Sequence, residues 1–296
     1  MLDAQERLST ANAAASGPHT AGSGRKGWSL PLQTFLVIIG FITYLPFALM
    51  IIISFKTRAQ FAVQPIWPTF PLHFENYTFA FKQVLRPVIN TTVVCVGTIG
   101  VTLFVASLAA YAFARFRFPG KDVLFSITMA TLMLPAYVLL IPNFMLFWRL
   151  GWLNTYLPLT VPFWFGSAFF IFLFRQFFMT IPIELDEAAR IDGASYPRIL
   201  WSIMLPLSGP VYATAAIIEG IAQWNSFLRP LIILNRPENY PLSVGLRYFV
   251  VNPGDQMPKD HLLMAAAIMM TLPVILIFFV GQRYFVRGVV MSGIKG

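Results

Sequence analysis

The 296-residue chain predicts an all-α integral membrane protein with six transmembrane helices. Three observations carry that expectation. The composition is 57% hydrophobic and 11% charged, where soluble domains are about a quarter charged. Several apolar runs reach the roughly 20 residues needed to cross a bilayer. The scarce charges gather between those runs: four of the twelve acids, Glu184, Asp186, Glu187 and Asp192, fall within nine residues.

Residues 1–31 are rich in Ala, Ser, Gly and Thr and lack an apolar pattern, so they read as a flexible polar tail. "GSGRKG" (22–27) lacks the spacing of a phosphate loop and a preceding strand. Six spans follow, at about 32–54, 88–114, 122–148, 158–180, 207–228 and 262–284, so the membrane domain runs over 32–284 and a short tail over 285–296. The second span carries Thr98, Thr102, Ala106, Ala110 and Ala114 at four-residue spacing, a small-residue stripe that lets a neighbouring helix approach closely. Pro46, Pro135, Pro142, Pro162 and Pro273 fall in or near the spans, where each removes a backbone donor and kinks or breaks a helix.

Charge sets orientation. With both termini inside, the inner segments hold 12 of the 21 basic residues. The short loop "RFRFPGK" (115–121) and "GRKG" before the first span are the sharper signals, because short loops dominate topology. Both place the N-terminus in the cytoplasm, and six spans return the C-terminus there with the acidic stretch. The formal net charge of +9 is spread over such loops with no long basic run, which fits a lipid surface and not a nucleic-acid partner. Cys95 is the single cysteine, and His19, His73 and His261 stand far apart in sequence, so no metal-ligand pattern exists.

The acidic stretch is built to fold at the membrane surface. Pro182 suits a first turn, and Glu184, Asp186 and Glu187 suit the positive end of a helix. Asp186 and Arg190, four apart, are expected to pair. Gly193 can end the helix, Ser195 can cap a second one with Pro197 in its first turn, and that helix runs towards Pro206. From these residues alone, a docking surface and a solvated amphipathic loop are both open.

The same residues strongly resemble the EAA signature of permease subunits of bacterial ATP-binding-cassette importers: Glu187-Ala188-Ala189, Asp192-Gly193-Ala194 and Ile203-Met204-Leu205-Pro206. "AAYAFARFRFPGK" (109–121), "WNSFLRPLIIL" (224–234), "YPLSVGL" (240–246) and "QRYFVRGVVMSGIKG" (282–296) are similar to the second, maltose-type permease of carbohydrate importers. Ser226 and Arg229 depart from that pattern, standing where an acid and an aromatic residue are often found.

The resemblance implies a cytoplasmic coupling helix between spans 4 and 5, within 184–206. Glu184, Glu187, Ala188, Ala189, Asp192, Gly193, Ala194 and Pro206 would then form the surface that meets an ATPase. It further implies two cytoplasmic ATPase subunits that hold ATP and Mg, a second permease subunit and an extracytoplasmic solute-binding protein. This chain has no Walker loop of its own and is expected to bind no cofactor. For the solute path, Glu219 lies in the fifth span and Asn143 in the third, with Gln223, Trp224 and Asn225 close behind Glu219. Intramembrane polar residues serve substrate paths, and they also hold helices together. A sugar, a polyol and a sugar phosphate all stay open as solutes. The competing class is an ion-driven secondary transporter, which would call for an inverted repeat. A membrane enzyme would need a convergent catalytic set, which this sequence does not offer.

Overall fold

The computed structural model describes residues 30–135, 137–247 and 259–293, and among them helices are connected by loops without a strand. Contacts divide the chain into two units, Met1–Ala48 and Leu49–Gly296. Helix α1 (Leu30–Ser54) carries Pro46 inside it and has no charged residue. Its side chains through Ala48 are exposed, including Phe35, Val37, Phe41 and Tyr44. An apolar helix of 25 residues with such a surface has the length and character of a lipid-facing span.

The second unit is organised around one long helix. After the short α2 (Arg58–Val63), helix α3 (Glu75–Arg115) runs for 41 residues, about 60 Å, twice the thickness of a bilayer core. The next elements are α4 (Lys121–Ala130), α5 (Leu140–Arg149), α6 (Leu157–Thr160) and α7 (Ala168–Phe178). The acidic segment forms two helices that flank the turn at Gly193, α8 (Glu184–Ile191) and α9 (Tyr196–Ile199). Beyond them lie α10 (Leu205–Leu207), α11 (Gly209–Trp224), α12 (Leu228–Ile233), α13 (Leu242–Gly245) and α14 (Asp260–Gly293).

Helix α3 packs against α7, α11 and α14, and α11 packs against α14. The stripe predicted on α3 is the seam: Thr98, Thr102, Ala106 and Ala110 are all fully buried. Their small side chains admit Phe170, Phe174 and Phe178 of α7 and Ala215 of α11 to one core. The hydroxyls are satisfied within it, Thr98 Oγ1 donating to Val94 O (2.7 Å) and Thr102 Oγ1 to Phe163 O (3.0 Å). No water is on hand to solvate them there, so such bonds are what makes threonine tolerable on a buried helix face. On the α14 side, a side chain at Gly281 would collide with Ile217 of α11, so glycine permits that approach.

Among the described residues, four helices are long and apolar enough to cross a membrane: Leu30–Ser54, Glu75–Arg115, the stretch Leu157–Phe178 and Asp260–Phe279. A fifth forms if Tyr196–Leu207 and Gly209–Trp224, bent by 79° at Ser208, count as one. The bend has a local cause. Pro206 and Pro210 each withhold a backbone donor, and the turn before them, Leu200–Met204, is widened to a π-helix. The third expected span is also broken, into two ten-residue helices, α4 and α5, separated by a tight turn at Thr131–Met133 and non-helical chain around Pro135.

Most of the expected tail at 1–31 lies outside the described residues. Of the tail expected at 285–296, the backbone through Gly293 continues α14, and the last three residues lie outside the description.

Candidate functional site

The acidic segment forms the helix, glycine turn and second helix expected of it. Helix α8 starts at Glu184 with Glu184, Asp186 and Glu187 in its first turn, where their charge offsets the exposed N–H groups. It ends in a Schellman turn: Ala194 N–H donates to Ala189 O (2.9 Å) and Gly193 N–H to Arg190 O (3.0 Å). That turn needs a left-handed residue, and Gly193 has φ of +81°. Ser195 stands in the extended cap position, although its hydroxyl makes no capping bond. Glu184, Glu187, Ala188, Asp192 and Gly193 are exposed together with Ile191, which is 87% exposed; Ala189 and Ala194 are half-buried and Pro206 is exposed.

The expected Asp186–Arg190 pair is not formed. Asp186 points inward and its carboxylate Oδ2 lies 2.9 Å from Arg115 Nε of α3, both side chains less than a tenth exposed. The N–H is not aimed along that line, so the contact is an ion pair and not a well-formed hydrogen bond. Arg115 Nη2 donates to Ile181 O (2.8 Å) and rests by Met204 Sδ (3.9 Å). Arg190 instead stands over the Tyr196 ring, 5.1 Å from its centre. The physical reason is burial: an inward Asp186 is stabilised by the buried cation at the end of α3, whereas Arg190 sits at the surface where pairing contributes little.

Around Arg115 the end of α3 grips the segment from several sides. Phe116 meets Tyr196 edge-on at 4.7 Å and Tyr111 at 5.5 Å. Ile181, Ile199, Leu200 and Met204 are buried in the same core as Tyr111 and Phe174. Burial raises the Asp186 carboxyl above its usual pKa of 3.8, and Arg115 works against that rise. The exposed acids are thus carried on a helix whose inner face is fixed to the longest helix of the protein.

The expected path residues fall into two groups. Gln223 and Asn143 line two narrow clefts, of about 10 and about 20 Å³, room for a water or two each. Arg229 of α12 lines both. Glu219 is 7% exposed and its Oε1 accepts a hydrogen bond from Gln223 Nε2 at 2.7 Å. Trp224 is buried against Leu262, Ala265 and Ala266 of α14 and donates from Nε1 to Met270 O (3.3 Å), while Asn225 is exposed and donates to Ile221 O (2.9 Å). Neither lines either of these two clefts. Among the described residues, no three His, Cys, Asp or Glu side chains assemble into a metal set.

The family model described as "Binding-protein-dependent transport system inner membrane component" matches residues 102–291, from the C-terminal third of α3 through the acidic segment and into the last turn of α14. The chain belongs to this family. The permease is similar to the arabinooligosaccharides transport system permease protein AraQ of Halalkalibacterium halodurans, 30% identical over 277 residues, 90% of this chain and 98% of that one. It is 33% identical to the lactose transport system permease protein LacG of Rhizobium radiobacter, over 87% of this chain and 93% of that one. With the sn-glycerol-3-phosphate transport system permease protein UgpE of Pectobacterium atrosepticum it shares 39% identity, over 71% and 73% of the two chains. Among solved structures, a chain of a bacterial ABC transporter involved in the import of the acidic polysaccharide alginate superposes with a TM-score of 0.76. That match is at 26% identity and covers 86% of this permease and 94% of that chain.

Two residues of the candidate site are not singled out by the sequence alone. Arg115 was counted only as a topology-setting charge, and Arg229 only as a departure from a motif. A usable signal existed for both: in a chain with 11% charged residues, an arginine at a helix end or beside a span has to find a partner.

Proposed function

We propose that the permease forms half of the translocation path of an ATP-driven importer for a sugar or related solute and couples to its ATPase through residues 184–206. The single observation that carries the coupling reading is the exposed acidic helix and glycine turn, held from behind by Arg115. The sugar reading rests on the relatives, whose names point to arabinooligosaccharides and lactose, and the sugar phosphate remains the second reading because another relative carries sn-glycerol-3-phosphate.

In this reading the chain crosses the membrane six times with both termini in the cytoplasm. Helices α4 and α5 together make one broken crossing, and the bent stretch 196–224 makes the fifth. Two cytoplasmic ATPase subunits hold ATP and Mg; this chain binds neither. Their closure displaces α8, and the Arg115–Asp186 contact passes the displacement to α3 and thereby to α7, α11 and α14. A packed interface of this kind has discrete arrangements, so a ligand that favours one of them moves the whole bundle. A second permease subunit supplies the other wall of the path, and an extracytoplasmic binding protein delivers the solute.

Mild-detergent purification of the tagged permease from its own membranes, followed by mass spectrometry, tests the assembly. Co-recovery of a soluble ATPase and a second permease is the expected result. A chain that emerges alone under conditions where related complexes stay intact would sink the reading and return the ion-driven alternative.

A further inference from the structure

Arg229 has no assigned role, and its setting is unusual for a cation. It lies on α12, just past the fifth span, with its guanidinium carbon 4.8 Å from the centre of the Phe163 ring. Among the described residues, no carboxylate forms an ion pair with it and no acceptor takes any of its N–H groups. Glu219 is close enough to be felt through space, yet its Oε1 is engaged by Gln223 and it makes no ion pair with the arginine. The aromatic face steadies the charge from one side without using a donor. Arg229 also lines both clefts.

Those clefts bring further polar side chains together with Arg229. One holds Asn143, whose side-chain amide has no partner among the described residues, and the other holds Gln223 and Ser226. A planar fork of five donors, flanked by amides and a hydroxyl and backed by an aromatic ring, is the chemistry that grips a carboxylate or phosphate in two-point fashion. Neutral sugars are met by acceptors and donors in balance. Here Arg229 contributes donors alone, and none of them is taken by an acceptor among the described residues. The clefts are narrow, so the charged group and not the sugar ring is what would enter them as the site stands.

We propose that Arg229, with Asn143 and Gln223, is a specificity-determining site for an anionic group on the transported solute, so that this importer carries a sugar acid or sugar phosphate in preference to the neutral sugar. The proposal deepens the importer reading and rests on it.

The test uses the complete complex, purified in lipid nanodiscs, and equilibrium dialysis with three radiolabelled probes that share one ring: glucose, glucuronate and glucose 6-phosphate. Retention of one of the two anions should exceed that of glucose by at least about tenfold, the size expected of a charge-assisted hydrogen bond in a partly buried site. Arg229→Gln should bring the anion within about twofold of glucose, and Arg229→Lys, which keeps the charge without the fork, should fall between. Equal retention of all three probes, retention of none, or an anion preference that survives Arg229→Gln overturns the anion site. Each of those results leaves the importer reading standing, because that reading is read separately from the ATPase and second permease that come with the wild-type chain. Phosphate held by glucose 6-phosphate alone, or carboxylate by glucuronate alone, supports the site and identifies which anion it takes.

Discussion

Arg115 and Asp186, 71 positions apart in sequence, form an ion pair at 2.9 Å that ties the last turn of α3 to the first turn of α8. Among the described residues, it is the one ion pair that joins the exposed acidic helix to the bundle. Burial raises the Asp186 carboxyl in spite of the arginine, so desolvation outweighs the attraction between the two. A pair of that kind adds little net stability. What it supplies is position: α8 cannot shift without moving Arg115, and Arg115 also holds Ile181 O.

Removing the two partners should therefore have unequal effects. Asp186→Asn keeps the shape but strands the buried guanidinium of Arg115, which cannot shed its proton, so the purified permease should lose on the order of 3 kcal/mol of stability. Arg115→Ala strands a carboxyl that can neutralise itself by taking up a proton, so its cost should be small at acid pH and grow as pH rises. Both variants should weaken solute-stimulated ATPase activity. Equal destabilisation by the two at acid pH would contradict that asymmetry.

The pH dependence follows from the raised pKa of Asp186. The folded protein holds this proton to higher pH than the unfolded chain does. Its contribution to stability is thus full below 3.8 and is lost as pH rises through the folded value. In Arg115→Ala the opposing cation is gone, the folded value climbs further, and the loss extends to higher pH. Melting temperatures taken from pH 4 to 7.5 should fall more steeply with pH in Arg115→Ala than in wild type. Parallel curves would show that the cation does not act on Asp186.

Gly193 is the second fixed point of the segment. Its φ of +81° is one that side chains other than Asn and Asp adopt only at a cost of about 1–2 kcal/mol, and a Cβ there would meet nothing within 4 Å. The strain of a substitution is therefore purely backbone. ATPase coupling should decline in the order Gly, Asn, Ala, and Gly193→Pro, which needs negative φ and loses the N–H bonded to Arg190 O, should abolish ATPase association while the chain still inserts in the membrane. Coupling that is indifferent to Ala and Pro at this position would remove the turn from the mechanism.

Glu219→Gln separates path from scaffold. The replacement amide oxygen can still accept from Gln223 Nε2, so assembly with the partner subunits should persist. Only the charge beside Gln223 and Arg229 changes, and the solute transport rate should change with it. Failure to assemble, with no separate transport defect, would mark Glu219 as a packing residue.

Much of this was readable from the chain before its fold was known, for reasons specific to each element. The stripe on α3 was legible because small residues at four-residue spacing have one use in a bundle, and all four of its inner members are fully buried. The turn at Gly193 was legible because local chemistry alone dictates it. The Asp186 partner was not, since an i,i+4 pairing rule speaks only of neighbours on one helix, and the competing arginine comes from a different helix. Arg229 was noticed as an oddity, yet the clefts it lines are assembled from α5, α6, α11 and α12, from Thr91 and Val94 of α3 and from the loop residues Ser226 and Pro241, which no local pattern brings together. The break in the third expected span was foreshadowed by Pro135, although a run of apolar residues reads the same whether continuous or broken.

That break is also where topology can be tested. Helices α4 and α5 have ten residues each, about 15 Å apiece, so neither crosses a bilayer core alone and the two in series match its thickness. If they make one broken crossing, their far ends lie on opposite sides of the membrane. With Cys95 replaced by Ser, cysteines introduced at Asp122→Cys and Arg149→Cys should differ in their access to a membrane-impermeant maleimide. Intact cells should label the variant at 149 and spare the one at 122, which should react only after permeabilisation. Labelling of both from outside, or of neither, would mean that 121–149 folds back on one side, leaving an odd number of crossings and the two termini of the chain on opposite faces.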